Sequence, residues 1–303
     1  MMVPEMERKG YNRAFAAAIT AGGSLVTPII PPGIALIIYG LVADVSIGKM
    51  FIAGLVPGLL CAVVLMFTVY LVARKTNAKP SRESWPTGKE VVFSLGQAWP
   101  ALFLIFAVVG GIRANIFTPT EAGAAAVLIV LAIGFFIYRE MRISHVVKAL
   151  GETARATASV MLVIMASAAL GWIFSMEHAG VAVANFVTSL TENKYMFLLI
   201  INILLLTLGM FLEGNAILLI LVPLLKPVVE HFGIDPVHFG IIMIFNLSIG
   251  AFTPPVGTVM LLVCNITQVS VGNFFKQSLP LLAALLLMLM LVTYIPAISL
   301  FLV

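Results

Sequence analysis

Long apolar runs separated by short polar stretches dominate this sequence. Uninterrupted runs cover residues 51–73, 91–112 and 122–138, another ends near 174, and a last one covers about 279–301. Their lengths are close to the ~20 residues that a helix needs to cross a bilayer. Residues 178–190 are typical of a helix that lies at the membrane surface. The pattern therefore predicts an all-α polytopic membrane protein.

Two further apolar runs, residues 14–40 and 246–272, contain prolines near their centres. Proline has no backbone N–H, so a helix that passes through it leaves carbonyls unpaired one turn earlier. Hydrocarbon offers such carbonyls no partner, and these breaks persist only where they are buried in protein or line a polar cavity. Each run is interpreted either as a broken helix that coordinates an ion or a substrate, or as a plain proline kink.

A 31-residue apolar run, residues 195–225, is interrupted only by Glu213, Gly214 and Asn215 near its centre. Glycine and asparagine disfavour a continuous helix, and a charge at this depth is typical of a functional site. We predict a re-entrant hairpin, and a straight helix is the alternative. Glu213 then has three possible roles: a ligand of a coupling ion, a proton carrier, or an acceptor for N–H groups at the start of the second helix.

Composition agrees with a membrane protein, since 61% of the residues are hydrophobic and only 10% are charged. Soluble domains carry about 25% charged residues. The net charge of +4 does not indicate nucleic-acid binding, because the basic residues cluster in two loops, 74–90 and 139–155. Such clustering predicts that both loops are cytoplasmic.

Enzymatic chemistry finds no support in the sequence. Cys61 and Cys264 lie inside apolar runs and are interpreted as small hydrophobic residues. The four histidines fall in loops or at the ends of spans, so no metal pair or nucleophile–base pair is placed inside the membrane. No phosphate-binding GxxxxGK[ST] motif is present. We therefore predict no catalytic residue, no cofactor and no metal site apart from sodium.

The first and last regions of the chain resemble each other. The Pro-Pro pair at 31–32 matches that at 254–255, and VSIG at 45–48 matches VSVG at 269–272, with offsets of 223 and 224. Five predicted crossings separate the two copies, so they are inverted in the membrane. Inverted repeats with paired broken helices are typical of secondary transporters.

The repeat divides the chain into residues 1–73, a first repeat, residues 74–194, connecting spans with a surface helix, and residues 195–303, a second repeat. The second copy begins with the predicted hairpin, whereas only three residues precede the matching Pro4 in the first copy. We expect the first repeat to be incomplete and the chain to be a truncated subunit or a fragment.

Sodium prefers oxygen ligands, which opened helices supply as carbonyls, and helix N-termini favour anionic groups. The candidate sodium ligands are small or hydroxyl- and amide-bearing residues at the breaks. The candidate substrate or gate residues flank them. The predicted sodium set is Gly22, Ser24, Thr27, Gly214, Asn215, Gly250 and Thr253, and the predicted substrate and gate set is Pro31, Pro32, Gly33, Glu213, Pro254, Pro255 and Gly257.

Several motifs resemble the DctM-type large membrane subunit of tripartite ATP-independent periplasmic (TRAP) transporters. They are AGGSLVTPIIPPG, IFTPTEAGAAAV, GMFLEGNAILLILVPLL, GIDPVHFGIIMIFNLSIG and TPPVG, in the family's order. The resemblance covers essentially the whole chain. It places one sodium site at residues 24–32 and the other at residues 213–215 with 253–257. The family's N-terminal scaffold and first hairpin have no counterpart here.

The resemblance implies an elevator-type, sodium-driven importer of organic acids, such as C4-dicarboxylates or sialic-acid-like carboxylates, in a bacterial inner membrane. It also implies a small DctQ-type membrane subunit and a periplasmic substrate-binding protein as partners, with membrane lipid around the chain and no nucleic acid. A truncated, non-transporting scaffold or assembly partner is the alternative. A channel is the third hypothesis.

Overall fold

The computed structural model describes residues 2–75, 87–114, 116–177 and 179–303. These residues form α-helices joined by short turns, and a π-helical turn at Ile133–Ile137 continues the sixth helix. The start of the predicted surface helix, residue 178, lies outside the described residues. The helices are α1 Met2–Arg8, α2 Arg13–Ser24, α3 Ile34–Ala43, α4 Ile47–Lys75, α5 Gly88–Arg113, α6 Pro119–Ala132, α7 Ile143–Met176, α8 Ala179–Leu190, α9 Lys194–Phe211, α10 Gly214–His231, α11 Pro236–Phe252, α12 Thr258–Thr267, α13 Val271–Tyr294 and α14 Ala297–Leu300.

Six helices in the described part of the chain are long and apolar enough to cross a membrane: α4, α6 with its π-helical turn, α7, α9, α10 and α13. A seventh span results if the two halves of α5 are counted as one. The prediction of an all-α polytopic membrane protein is therefore confirmed.

The predicted straight span at residues 91–112 is bent. The two halves of α5 meet at 60° directly after Pro100. Proline removes one hydrogen bond of the helix and its ring collides with the preceding turn, so a kink at this position has a local cause.

Two other helix boundaries differ from the sequence prediction. The last part of the polar stretch 139–155 was expected to form the first turn of the next span, but α7 begins already at Ile143, and its polar start carries an exposed Lys148–Glu152 pair at 3.9 Å. α13 begins at Val271 and ends at Tyr294, earlier than the predicted 279–301. Pro296 follows two residues later and cannot continue the helix. Hydropathy marks only apolar residues, so it misses the more polar first turns of both helices.

The described residues form two compact units. One consists of residues 87–170, in which α5 packs against α6. The start of α6 is closed by a capping box: the Thr118 N–H donates to Glu121 Oε2 at 2.8 Å, and the Glu121 N–H donates to Thr118 Oγ1 at 3.3 Å. This pairing satisfies two N–H groups that a helix N-terminus otherwise leaves free, and it explains the PTEA motif.

The other unit consists of residues 2–75 and 171–303 and is built around α11. Fifteen of the 17 residues of α11 are buried, although it is shorter than the candidate spans. It contacts α3, α4, α9, α10, α12, α13 and α14. α11 is therefore the central helix of this unit.

The two broken runs of the sequence share backbone features at the same offset. Each consists of two helices, α2 with α3 and α11 with α12, separated by a segment with a cis X–Pro bond. Each first helix begins with an Asn or Asp whose side chain accepts two backbone N–H groups. The other matched features are left-handed residues before and after the paired helices. The pairs are Gly10 with Gly233, Asn12 with Asp235, Pro31–Pro32 with Pro254–Pro255, and Asp44 with Gln268.

The two broken segments pack against each other. α3, the second half of one segment, packs against α11, the first half of the other, and α12 packs in the same manner against α2. The Tyr39 hydroxyl of α3 donates to the Pro236 carbonyl at the start of α11 at 2.7 Å. The helix before each break therefore packs on the helix after the other break.

Candidate ion and substrate site

α9 and α10 form a helical hairpin. The ring of Phe197, near the start of α9, stacks on the ring of Phe232, directly after α10, with centroids 4.7 Å apart and 8° between the planes. The two open ends therefore lie together, which excludes a straight 31-residue span. Each helix has 18 residues and is about 27 Å long. The tip of the hairpin, at Leu212 and Glu213, is consequently far from the stacked rings.

Glu213 caps the second helix of the hairpin. One carboxylate oxygen, Oε2, accepts the Ala216 N–H at 3.0 Å, and the other, Oε1, accepts the Asn215 side-chain amide at 2.8 Å. A carboxylate at a helix N-terminus satisfies a free N–H and interacts favourably with the helix dipole. Of the three roles open for Glu213, this geometry corresponds to the structural acceptor. It also orients Asn215 at the tip.

The break between α11 and α12 is held against the hairpin. The Gly257 N–H donates to the carbonyl of Met210, one turn before the tip, at 3.0 Å. Within the break, the Thr253 hydroxyl donates to the Ile249 carbonyl at 2.7 Å and is 7% exposed. A hydroxyl that donates its only hydrogen keeps its oxygen lone pairs, so Thr253 Oγ1 remains able to accept or to coordinate a cation.

Two glycines let the hairpin and α11 approach closely. A Cβ added to Gly250 would lie 2.6 Å from the carbonyl carbon and 2.7 Å from the Cα of Gly209. Ordinary carbon–carbon contacts are about 3.5–4.0 Å. Small residues at such crossings allow backbones to meet, as is usual between membrane helices. Gly250 therefore sits at the site because it lacks a side chain.

At one glycine of each break, a side chain would have no room beside a backbone carbonyl. A Cβ on Gly257, whose φ is +46°, would lie 2.7 Å from the Thr253 carbonyl oxygen and 3.2 Å from that of Ala251. A Cβ on Gly33, at the equivalent position of the first break, would collide with the Pro28 carbonyl oxygen. The two glycines therefore let the chain pack closely against these carbonyl oxygens, which are the type of ligand that a hard cation such as sodium prefers.

The first break places its predicted residues at the end of α2. Gly22 is buried, the Ser24 hydroxyl donates to the Ala21 carbonyl at 2.7 Å, and the Thr27 N–H donates to the Ser24 carbonyl at 3.2 Å. Thr27 is exposed. Beside Gly22 lies a mainly apolar cavity of about 460 Å³ between α2, α4 and α13.

The structure brings together the predicted residues of the hairpin tip and of the break between α11 and α12. In the described part of the chain, it does not join them by hydrogen bonds to the predicted residues of the first break. Glu213, Asn215, Thr253 and Gly257 lie at the hairpin tip and the break that the Met210 carbonyl connects. Among the described residues, no hydrogen bond links this group to residues 22–33. Sequence reasoning missed Met210 and Gly209, because a backbone carbonyl and a close glycine contact carry little signal in one sequence.

The described residues contain no group of three or more His, Cys, Asp or Glu side chains that could hold a metal ion. Carbonyl, hydroxyl and amide oxygens dominate the breaks, and such ligands suit alkali and alkaline-earth ions better than transition metals.

An all-α polytopic chain with paired broken helices and a hairpin at one break belongs to the class of membrane transport proteins. A family model described as "Tripartite ATP-independent periplasmic transporter, DctM component" matches residues 1–298. The chain therefore belongs to the DctM family of TRAP transporter large permeases. It is a protein of the bacterial inner membrane and not an enzyme.

Individual relatives from the same family support this assignment. The chain is 40% identical to the C4-dicarboxylate TRAP transporter large permease protein DctM of Pseudomonas aeruginosa over 299 residues, which are 97% of this chain and 69% of that protein. It is 38% identical to the sialic acid TRAP transporter large permease protein SiaM of Vibrio cholerae, over 99% of this chain and 70% of that protein. It is also 38% identical to the isethionate TRAP transporter permease protein DctMQ of Oleidesulfovibrio alaskensis, over 99% of this chain and 47% of that protein.

Proposed function

We propose that this chain is the membrane permease subunit of a sodium-coupled TRAP transporter that imports organic acids. The candidate substrates are C4-dicarboxylates and sialic-acid-like carboxylates. The relatives named above are assigned different organic anions, which supports the substrate class and leaves the individual acid to experiment.

One observation carries the proposal: the hairpin tip is held beside the break between α11 and α12 by the Gly257–Met210 hydrogen bond of 3.0 Å. The arrangement places the opened backbone of the break and the Thr253 hydroxyl beside the hairpin tip, where the Glu213 carboxylate caps α10. Opened backbone supplies carbonyl oxygens that attract cations. Together with the acidic tip, it is suited to a sodium ion.

The same geometry supports an inverted-repeat, elevator-type mechanism. The helix before each break packs on the helix after the other break, and the two segments share backbone features at offsets of 223 or 224 residues. Pseudo-symmetry of this kind accompanies alternating access by movement of one bundle against the rest. In this proposal the unit built around α11 carries the ion and the substrate.

Two partners complete the transporter in this proposal. A small DctQ-type membrane subunit and a periplasmic substrate-binding protein are the partners that membership of the family implies. The relative from Oleidesulfovibrio alaskensis, whose name combines DctM and DctQ, is covered over only 47% of its length. This supports a Q-type partner for the present chain.

Reconstitution tests the proposal. The chain, a small subunit and a binding protein are placed in liposomes, and uptake of a labelled C4-dicarboxylate or sialic acid is measured with an inward sodium gradient. We expect uptake that needs both sodium and the binding protein. Uptake that continues when potassium replaces sodium would refute the coupling. No uptake of any organic acid by a folded assembly would favour the non-transporting scaffold.

Substitutions then test the site. Thr253→Val and Asn215→Ala should weaken the sodium dependence of uptake, because each removes an oxygen from the tip or the break. Thr207→Val is the matched control, since the Thr207 hydroxyl is exposed on α9 and donates only to the Ile203 carbonyl of its own helix. Unchanged sodium dependence in both site variants would remove these residues from the site.

A further inference from the structure

A chain of buried polar side chains joins the middle of α9 to α11 and α13. The Asn246 side-chain amide of α11 donates to the carbonyl of Asn202 in α9 at 3.0 Å and to Asn202 Oδ1 at 2.8 Å. The Asn202 amide in turn donates to Thr293 Oγ1 in α13 at 3.0 Å. The three residues are 0%, 2% and 1% exposed. One polar network therefore joins three helices inside an apolar interior.

This network is not arranged for maximal stability. Asn246 Oδ1 is buried and has no hydrogen-bond partner among the described residues. The amide cannot simply turn over, because its nitrogen faces two oxygens of Asn202, which would repel an oxygen in its place. A buried acceptor without a donor lowers stability, and an apolar contact would avoid that loss. The network is therefore better explained by the specificity of its geometry than by its strength.

The polar network fixes the position of α9 on α11. Asn202 lies eight residues before Met210, about 12 Å along the helix, and Met210 holds the break through Gly257. The Gly209–Gly250 contact lies between these two points. α9 thus bonds α11 at the middle of α9 and the break near the hairpin tip. A change at Asn202 shifts or tilts the half of α9 that leads to the tip.

Thr293 is the member of the network that lies outside the hairpin and α11. It lies in the last turn of α13, where its carbonyl is 3.3 Å from His238 Nε2 of α11, and it lines a cavity of about 200 Å³ near the hairpin base with Lys194 and Asp235. The His238 ring is also 2.7 Å from Ser299 Oγ. Thr293 forms no hydrogen bond with the hairpin tip or the break among the described residues.

We propose that Asn202, Asn246 and Thr293 are positioning residues that set the hairpin tip against the break at Thr253–Gly257 and thereby tune the affinity for the coupling ion. This inference rests on the proposed sodium-coupled function. Because Thr293 acts at the middle of α9, its effect on sodium reaches the site through α9 and not by coordination.

The test measures uptake against sodium concentration in the reconstituted transporter. Thr293→Val keeps the shape of the side chain and removes the hydroxyl that accepts from Asn202. We expect about a fivefold increase in the sodium concentration at half-maximal uptake, a size consistent with one lost buried hydrogen bond, and little change in the maximal rate. Thr293→Ser keeps the hydroxyl and should retain the wild-type sodium concentration. Thr207→Val makes the same change on the exposed face of α9 and should have no effect.

The outcomes separate this inference from the proposed function. A wild-type assembly without sodium dependence refutes the sodium coupling. A sodium-dependent wild type with unchanged half-saturation in folded Thr293→Val refutes the positioning role. If Thr293→Val does not fold, Thr293→Ala removes the same hydroxyl without placing a methyl group against Asn202. Loss of folding in both variants would assign the hydroxyl to stability and would also overturn the proposal.

Discussion

Substitution of Gly250 by alanine tests the close contact on which the candidate site depends. The new Cβ would lie 2.6 and 2.7 Å from backbone atoms of Gly209, so α9 must move away by about 1 Å to reach an ordinary contact of ~3.5 Å. The Met210–Gly257 hydrogen bond, now 3.0 Å, would then exceed its normal length. The substitution therefore separates the hairpin from the break.

Three contributions determine how far Gly250→Ala lowers the free energy of unfolding. Overpacking costs about 1–3 kcal/mol, and the lost hydrogen bond costs about 0.5–1.5 kcal/mol. Alanine favours a helix by about 1 kcal/mol over glycine, which offsets part of the loss. The net destabilisation is about 2 kcal/mol, equivalent to a fall of roughly 4–8 °C in apparent melting temperature.

Thermal unfolding of the purified chain and sodium-dependent uptake by the reconstituted transporter measure the two consequences. Gly209→Ala should be milder, because its Cβ would lie 3.3 Å from the Gly250 Cα. Gly272→Ala is the control, since a Cβ there meets no atom within 4 Å, and it should leave both measurements unchanged or slightly improved. Wild-type melting temperature and uptake in Gly250→Ala would refute the close-contact argument.

Three further substitutions test other parts of the site. Gly257→Ala should raise the sodium concentration for half-maximal uptake, because its Cβ would lie 2.7 Å from the Thr253 carbonyl oxygen and displace it, and because its φ of +46° disfavours alanine; an unchanged value would contradict this. Tyr39→Phe should lower thermal stability by about 1 kcal/mol through loss of the bond to Pro236, whereas Tyr70→Phe on an exposed position should not. Glu213→Gln keeps one capping oxygen, so uptake should keep its sodium dependence; strong loss would favour the ligand or proton-carrier role.

The breaks and the hairpin were predictable from sequence because their causes are local. The prolines at 254–255 cannot continue a helix, and the polar triplet at 213–215 is unfavourable inside an apolar helix. The bend at Pro100 has an equally local cause, although hydropathy alone reads the surrounding residues as one span. The early start of α7 at Ile143 was missed because its first turns are polar, and an apolar window does not detect them.

The contacts that assemble the site could not be predicted from one sequence. Gly209 and Gly250 are 41 residues apart, and neither signals that the other is its neighbour. The carbonyl of Met210 has the same chemistry as every other carbonyl of the chain. Only the packing of α9 on α11 selects it as the partner of Gly257. The role of Asn202 is likewise defined by Asn246 and Thr293, which lie on other helices.

The two breaks have similar backbones but pack against different helices. This difference determines which helix can alter each break. The first break is backed by α4, where Gly54 and Gly58 let the chain at Ile29 and Ile30 approach the helix. The second is backed by α9, through Gly209 and the Met210 carbonyl. α9 is itself anchored at its middle by the polar network of Asn202, Asn246 and Thr293. A change in the hairpin therefore alters the second break directly, whereas the first responds to the packing of α4.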